Sequence, residues 1–152
     1  MNNNLYRMVY LSRNNISTDE AIVRTEITQI LRSAREKNVK DDITGALMFN
    51  AACFAQVLEG PHDKVKETFD RIECDDRHSD IVVLDFNQID NRGFPNWSMA
   101  YVGEDSTSVD RFFMIAEETN FQTSHLSGDQ VFEALLAGLE EADTASTSRN
   151  AA

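Results

Sequence analysis

The sequence predicts an α+β protein: a ferredoxin-like sheet with both helices on one face, an extra strand and a C-terminal helical extension. Two observations favour this fold class. Hydrophobic periodicity switches between strand and helix spacing in the order β-α-β-β-α-β, which is the split β-α-β pattern. The chain of 152 residues is 41% hydrophobic, which fits one globular core with an appendage.

The N-terminal part of the chain predicts one strand and one long helix. Residues 5–11 (LYRMVYL) are rich in aromatic and β-branched residues, as strands are. Ser17 and Glu20 have the spacing of a capping box, which opens a helix. Apolar residues recur at helical spacing over residues 18–37. Asn38, a residue type that tolerates the left-handed cap conformation, is expected to close this helix.

Two further strands and a second helix are predicted next. Residues 43–49 and 53–58 form strands joined by a short turn at residues 50–52. Gly60-Pro61 breaks the second of these strands, and Pro61 suits the first position of a helix. The apolar stripe of this helix consists of Val65, Phe69 and Ile72.

The remaining elements are shorter. Residues 81–86 and 97–102 predict a fourth and a fifth strand, on either side of a loop. Residues 109–118 and 130–140 have helical periodicity and predict a helical hairpin that lies on the sheet or at a subunit contact. From Thr144 onward the residues are small and polar, which predicts a disordered tail.

The charge distribution divides the chain near Gly103. Residues 1–102 carry 12 basic and 16 acidic groups, whereas residues 103–152 carry 2 basic and 10 acidic groups. We therefore expect a core domain over residues 1–102, a helical extension over 103–143 and a tail over 144–152. The total net charge of −12 disfavours nucleic acid and anionic membranes as partners, because both are polyanions.

The chain is expected to be soluble and cytoplasmic. Its N-terminus lacks the basic-then-apolar pattern of a signal peptide. The longest stretch without a charge, residues 43–58, is too short to span a bilayer. The two cysteines of the chain indicate a reducing compartment rather than a disulfide scaffold.

The sequence lacks the usual signatures of an enzyme. His62, His78 and His125 are scattered and have no metal-ligand spacing with the cysteines, so no metal site is predicted. The chain has no GxSxG, Walker-type or GxGxxG motif. We therefore predict a protein that is not an enzyme.

Polar side chains occupy positions where apolar ones are expected. Gln56 lies in the middle of the strand sequence CFAQVL, Tyr10 shares a strand face with Tyr6, and Asn38 lies at a helix end. A buried amide left unpaired costs roughly 1–3 kcal/mol, so each group needs a partner. Aimed at one gap between the helices and the sheet, they suit a planar heteroaromatic ligand with carbonyl and N–H edges. The alternative is that each is an ordinary, satisfied residue at a strand or helix edge.

These residues lie in six segments that resemble the BLUF family, the blue-light sensors that use flavin. The segments follow the family order, and the F-x-Q-x-L-E-G and W-S-M blocks are the most specific. They are residues 5–12 (LYRMVYLS), 34–38 (AREKN), 42–45 (DITG), 54–60 (FAQVLEG), 75–78 (DDRH) and 94–99 (FPNWSM).

The resemblance implies a role for each site residue. Tyr10, rather than Tyr6, would donate an electron and a proton to excited flavin. Gln56 would be the switching amide, by rotation or by tautomerisation, and Trp97 and Met99 would sense its state. The other flavin contacts implied by the resemblance are Ile30, Asn38, Arg71, Asp75, Arg77 and His78.

The resemblance also implies a cofactor and partners. FAD is the expected flavin, ahead of FMN or riboflavin. As in short, stand-alone members of the family, the acidic C-terminal helices would contact a separate downstream effector protein or form a homo-oligomer. Two rival functions are a non-photoactive ferredoxin-like ligand or interaction module and an acylphosphatase-like enzyme on the same fold.

Overall fold

The structure is a computed structural model that describes residues 4–16, 19–50, 53–102, 107–118 and 126–150. It contains five strands and four helices in these parts of the chain. In order they are β1 (Leu5–Asn14), α1 (Glu20–Asp41), β2 (Thr44–Phe49), β3 (Cys53–Pro61), α2 (His62–Glu73), β4 (His78–Gln88), β5 (Ala100–Tyr101), α3 (Thr107–Glu118) and α4 (Gly128–Asn150).

The five strands form one sheet in the order β4-β1-β3-β2-β5. The first four are joined by antiparallel pairings, and β5 pairs parallel to β2 at the edge. The predicted ferredoxin-like order with an extra strand is therefore confirmed. The centre of the sheet is β1 beside β3, where Tyr10 lies directly opposite Gln56.

Both faces of the sheet are covered by helices. Alternate residues of a strand point to opposite faces, so β1 and β3 supply a core to each side. Met8 and Tyr10 pack with α1 and α2, whereas Val9 and Leu11 pack with α3 and α4. The C-terminal helices thus lie on the sheet, on the face opposite α1 and α2.

Both ends of α1 differ from the predicted ones. Ser17 lies outside the described residues, and the side chain of Asp19 caps the helix by accepting the backbone N–H groups of Ala21 and Ile22. The prediction that Asn38 closes the helix is wrong, because α1 continues to Asp41. Asp42 adopts the left-handed conformation with φ 58° and closes it, a conformation that aspartate tolerates better than most residues.

Other element boundaries shift as well. Pro61 is the N-cap of α2 rather than its first helical residue, and β4 begins at His78 instead of residue 81. The fifth strand is shorter than predicted, since only Ala100–Tyr101 pairs with β2. A disordered tail is predicted from Thr144 onward, whereas in the structure α4 runs to Asn150. That stretch contains no glycine or proline after Gly138 to break a helix.

The described part of the chain has neither a helix long and apolar enough to cross a membrane nor a cluster of metal-ligating side chains. The division of the chain into domains at residues 102 and 143 stays a prediction.

Candidate functional site

A cavity of about 170 Å³ lies between α1, α2 and the sheet face that carries Tyr10. All eight residues predicted to contact a cofactor line it: Tyr10, Ile30, Asn38, Gln56, Arg71, Asp75, Arg77 and His78. The other lining residues were not predicted as cofactor contacts from the sequence; they are Ser33, Ala34, Lys37, Leu47, Phe54, Leu58, Thr68 and Ile72. Several of these share a strand face or a helix face with the predicted ones, and that spacing is the signal that could have found them.

Tyr10 and Gln56 form a buried hydrogen bond on the cavity wall. The strand register places the two side chains opposite each other, and the Tyr10 hydroxyl donates to Oε1 of Gln56. Burial raises the pKa of Tyr10 well above its usual value of 10, and the nearby Asp75 carboxylate raises it further. The phenol is therefore protonated throughout the neutral pH range.

The same amide also contacts Met99. Nε2 of Gln56 donates to Sδ of Met99 at 3.3 Å, and the Met99 side chain is buried next to β5. A thioether sulfur accepts hydrogen bonds but has no hydrogen to donate. Gln56 is therefore oriented from both sides, as an acceptor toward Tyr10 and a donor toward Met99.

The backbone around Met99 is attached to α1 and β2. Nδ2 of Asn38 donates to the carbonyl of Ser98 at 2.6 Å, and Nε of Arg35 donates to the carbonyl of Met99 at 3.0 Å. The carbonyl of Trp97 accepts from the backbone N–H of Gly45 at 3.0 Å. The carbonyls of three consecutive residues, Trp97 to Met99, are thus held by α1 and β2.

Trp97 itself does not line the cavity in the described structure. Trp97 is 40% exposed, whereas Met99 is 1% exposed. The two residues that the resemblance treats together therefore occupy different environments. Met99 is in contact with Gln56, and a sensing role for Trp97 stays a prediction.

Ion pairs connect α1 with the opposite side of the cavity. Arg71 of α2 lies 3.5 Å from the Asp41 carboxylate, and Arg77 lies 3.3 Å from that of Glu26. Arg77 also pairs with Asp75, with 2.5 Å between Nη2 and Oδ2. The hydrogen bond from Arg77 lowers the pKa of Asp75 below its usual value of 3.8.

His78 is fully engaged by the protein. Nε2 lies 2.6 Å from the carbonyl oxygen of Ile72, so it carries the hydrogen, and Nδ1 lies 2.7 Å from Oγ of Ser12. Both ring nitrogens are therefore used within the fold. His78 contributes the surface of its ring to the cavity wall rather than a hydrogen bond, and its buried partner Ser12 was not expected from the sequence.

Comparison with known protein families assigns this cavity and its hydrogen bonds to a family. Residues 5–100 match the family model of BLUF, described as sensors of blue-light using FAD. The chain belongs to the BLUF family. The resemblance drawn from the six sequence segments is thereby confirmed, and so is the assignment to blue-light sensors that use flavin.

Two solved structures share the fold over nearly their whole length. The photo-activated state of BlsA superimposes with a TM-score of 0.73 at 30% identity, covering 87% of this chain and 94% of that chain. The dark state of BlrB, a BLUF protein, superimposes with a TM-score of 0.72 at 29% identity, covering 89% and 97%. The similarity therefore includes the C-terminal helices as well as the BLUF region.

Curated relatives are much longer than this chain. The photoactivated adenylate cyclase subunit beta of Euglena longa is 32% identical over 83 residues, which are 54% of this chain and 10% of that protein. The blue light- and temperature-regulated antirepressor BluF of Escherichia coli (strain K12) is 39% identical over 72 residues, which are 47% and 17%. The cyclase and antirepressor activities in these names belong to those proteins.

The residues of the BLUF cavity fit a flavin. Apolar side chains such as Ile30 and Leu47 offer walls for a planar ring, and the amides of Asn38 and Gln56 offer donors and acceptors for its edge. Positive side chains, including Arg71, lie on the same lining. This combination matches the carbonyl and N–H edges of the isoalloxazine ring.

Proposed function

We propose that this chain is a blue-light photoreceptor that holds FAD between α1 and α2 and signals to a separate protein. The hydrogen-bond chain from Tyr10 through Gln56 to Met99 is the observation that carries the proposal. It connects a phenol on the cavity wall with the segment that leads into β5. Rotation of the Gln56 amide would therefore alter its contacts with both Tyr10 and Met99.

Tyr10 is the electron and proton donor in this proposal. Flavin, when bound, supplies blue-light absorption and an excited state that is a strong oxidant. The raised pKa of Tyr10 keeps the phenol protonated until it loses an electron. A phenol that has lost an electron is strongly acidic, and its hydrogen bond to Gln56 already provides a path for the proton.

Gln56 converts this transfer into a different hydrogen-bond pattern. Rotation of the amide would turn Oε1 toward Sδ of Met99, where two acceptors face each other, so Met99 would have to move. Tautomerisation would leave an N–H directed at the sulfur and alter mainly the oxygen that faces Tyr10. In both cases the amide changes what it offers to the flavin edge, and a stronger hydrogen bond there shifts the absorption to the red.

Positive side chains on the cavity support FAD as the form of flavin. Lys37, Arg71 and Arg77 line the cavity, and Lys37 is exposed. A diphosphate is the part of FAD that such groups would attract. Mass spectrometry of the flavin released by denaturing the purified protein tests this, with FAD expected. FMN or riboflavin in that fraction would overturn the assignment.

The C-terminal helices are the proposed contact surface for an effector protein or a second copy of the chain. Residues 103–152 hold 10 acidic and 2 basic groups, and Met114 is exposed on α3. An acidic surface with apolar positions favours a protein partner over nucleic acid or an anionic membrane.

Two free cysteines agree with a cytoplasmic location. Light scattering of the full chain in darkness and in blue light measures any light-dependent change in oligomer size.

The deciding experiment compares absorption spectra before and after blue light. Wild-type protein is expected to show a flavin band that shifts slightly to the red and relaxes in darkness. Tyr10→Phe should bind flavin and lose the shift. Tyr6→Phe is the matched control, because Tyr6 lies on the same strand but outside the cavity lining and should keep the shift. A wild-type flavin band that does not move would instead indicate a non-photoactive ligand module.

A further inference from the structure

Glu59 is a buried carboxylate on the sheet face opposite the cavity. It lies on β3 three residues after Gln56, and its side chain is 0% exposed. Oε2 accepts from Nε of Arg7 at 2.7 Å and from the backbone N–H of Gly93 at 2.9 Å. Oε1 accepts from the backbone N–H of Phe94 at 2.9 Å. A buried charge is strongly unfavourable unless it is satisfied in this way, so the contacts hold all four groups together.

The groups held by Glu59 surround one aromatic ring of α4. The guanidinium of Arg7 lies 4.0 Å from the centre of the Phe132 ring, in a cation–π arrangement. Phe94 contacts the same ring edge to face, with 5.4 Å between the ring centres. Gly93 lies so close that a Cβ there would be 2.3 Å from Cε2 of Phe132. The half-buried Phe132 ring is therefore contacted by three residues that Glu59 positions.

Two of the attachments of the connection from β4 to β5 lie close together along the chain. Glu59 holds its backbone at residues 93 and 94, and α1 and β2 hold it at residues 97–99. Only Pro95 and Asn96 separate the two attachments. Because this link is so short, a displacement of Met99 is expected to move the backbone at residues 93 and 94, which contacts the ring of Phe132.

We propose that Glu59 is a positioning residue that couples Met99 to α4. This inference rests on the proposed function, because light must first change the contact between Gln56 and Met99. Glu59 makes the backbone at residues 93–94, Arg7 and the Phe132 ring a single packed unit. Movement of the connection between β4 and β5 then shifts α4, and with it the surface of the C-terminal helices.

The test separates this role from photochemistry and from simple anchoring. Glu59→Gln keeps the side-chain size and one acceptor but removes the charge that pairs with Arg7. Two quantities are measured on the full chain: the light-induced red shift, and the light-minus-dark difference in hydrogen exchange over residues 128–140. Glu133→Gln is the control, since Glu133 is an exposed acid on α4 beside Phe132.

Wild type and the control are expected to show both the red shift and a difference in α4 exchange. In Glu59→Gln the red shift should be retained, and the α4 difference should fall at least threefold. An α4 difference that persists at wild-type size in Glu59→Gln, or that is absent from wild type despite a normal red shift, would overturn the inference. A wild type without a red shift would instead refute the proposed photoreceptor function.

A second variant keeps the inference testable if Glu59→Gln does not fold. Phe132→Leu removes the ring that Arg7 and Phe94 contact while leaving Glu59 and its three hydrogen bonds in place. It should reproduce the result expected for Glu59→Gln, with a normal red shift and an α4 difference at least threefold smaller. Full retention of the α4 difference in Phe132→Leu would contradict the proposed coupling.

Discussion

The side-chain amide of Asn38 donates to the backbone carbonyl of Ser98, with 2.6 Å between Nδ2 and the oxygen. Asn38 lines the cavity from α1, whereas Ser98 belongs to the segment that carries Met99. Arg35, one helical turn earlier, donates to the carbonyl of Met99. One helix thus contributes both to the cavity wall and to the anchoring of the segment that Gln56 contacts, so a ligand that binds Asn38 also affects that segment.

Asn38→Ala should destabilise the protein even without flavin. The substitution leaves the carbonyl of Ser98 without this donor. It also leaves a small void, because Asn38 itself is almost fully buried. We expect a loss of about 2 kcal/mol in the free energy of unfolding, measured with urea on flavin-free protein. Val39→Ala, at a neighbouring position of α1 that is 72% exposed, should change it by less than about 0.5 kcal/mol. Equal effects of the two substitutions would contradict a structural role for the Asn38 amide.

Gln56→Leu should abolish the red shift while preserving flavin binding. Leucine has a similar volume but has neither the oxygen that accepts from Tyr10 nor the N–H group that contacts Met99. The flavin band is therefore expected in the spectrum of the purified variant, without the light-induced displacement. Leu58→Val, two residues along β3 on the same face, is the packing control and should retain the shift. A normal shift in Gln56→Leu would mean that another group changes the flavin hydrogen bonds.

Sequence periodicity was sufficient to predict the fold, whereas the photoactive roles of Tyr10 and Gln56 came from the resemblance to the BLUF family. The ferredoxin-like order makes the strands of these two residues neighbours, and the register of β1 with β3 then places their side chains opposite each other. The exact end of α1 was not predictable from Asn38 alone. Its side chain is occupied by the carbonyl of Ser98, a distant residue, and Asp42 provides the cap instead.

Contacts to backbone atoms were the part of the site that the sequence did not reveal. The carbonyl of Ile72 occupies one ring nitrogen of His78, and any residue type at position 72 would present such an oxygen. The clustering around Glu59 likewise depends on the backbone N–H groups of Gly93 and Phe94. Such acceptors and donors have no side-chain signature, so only the three-dimensional path of the chain identifies them.

Asp75 should contribute stability that depends on pH. Its folded pKa lies below 3.8, chiefly because Arg77 donates hydrogen bonds to the carboxylate. A lowered pKa stabilises the folded state above pH 3.8, and this contribution is lost as the pH falls through the folded pKa. Asp75→Asn should therefore be less stable than wild type at pH 7, and the difference should diminish in urea unfolding at pH 3. Asp76→Asn, at the exposed neighbouring position, controls for the removal of one negative charge. A difference that stays constant between the two pH values would disprove the contribution.

Gly45→Ala should be severely destabilising because two strands approach closely at this position. A Cβ on residue 45 would lie 1.9 Å from the backbone oxygen of Val57 on β3, a contact that no rotamer change can relieve. The backbone N–H of Gly45 also holds the carbonyl of Trp97, so the displacement would extend to the connection before β5. We expect a loss of about 3 kcal/mol or more in the free energy of unfolding, measured with urea. Val82→Ala, on the exposed side of β4, should cost less than about 1 kcal/mol. A Gly45→Ala protein with near wild-type stability would show that β2 and β3 can separate at this point without loss of the fold.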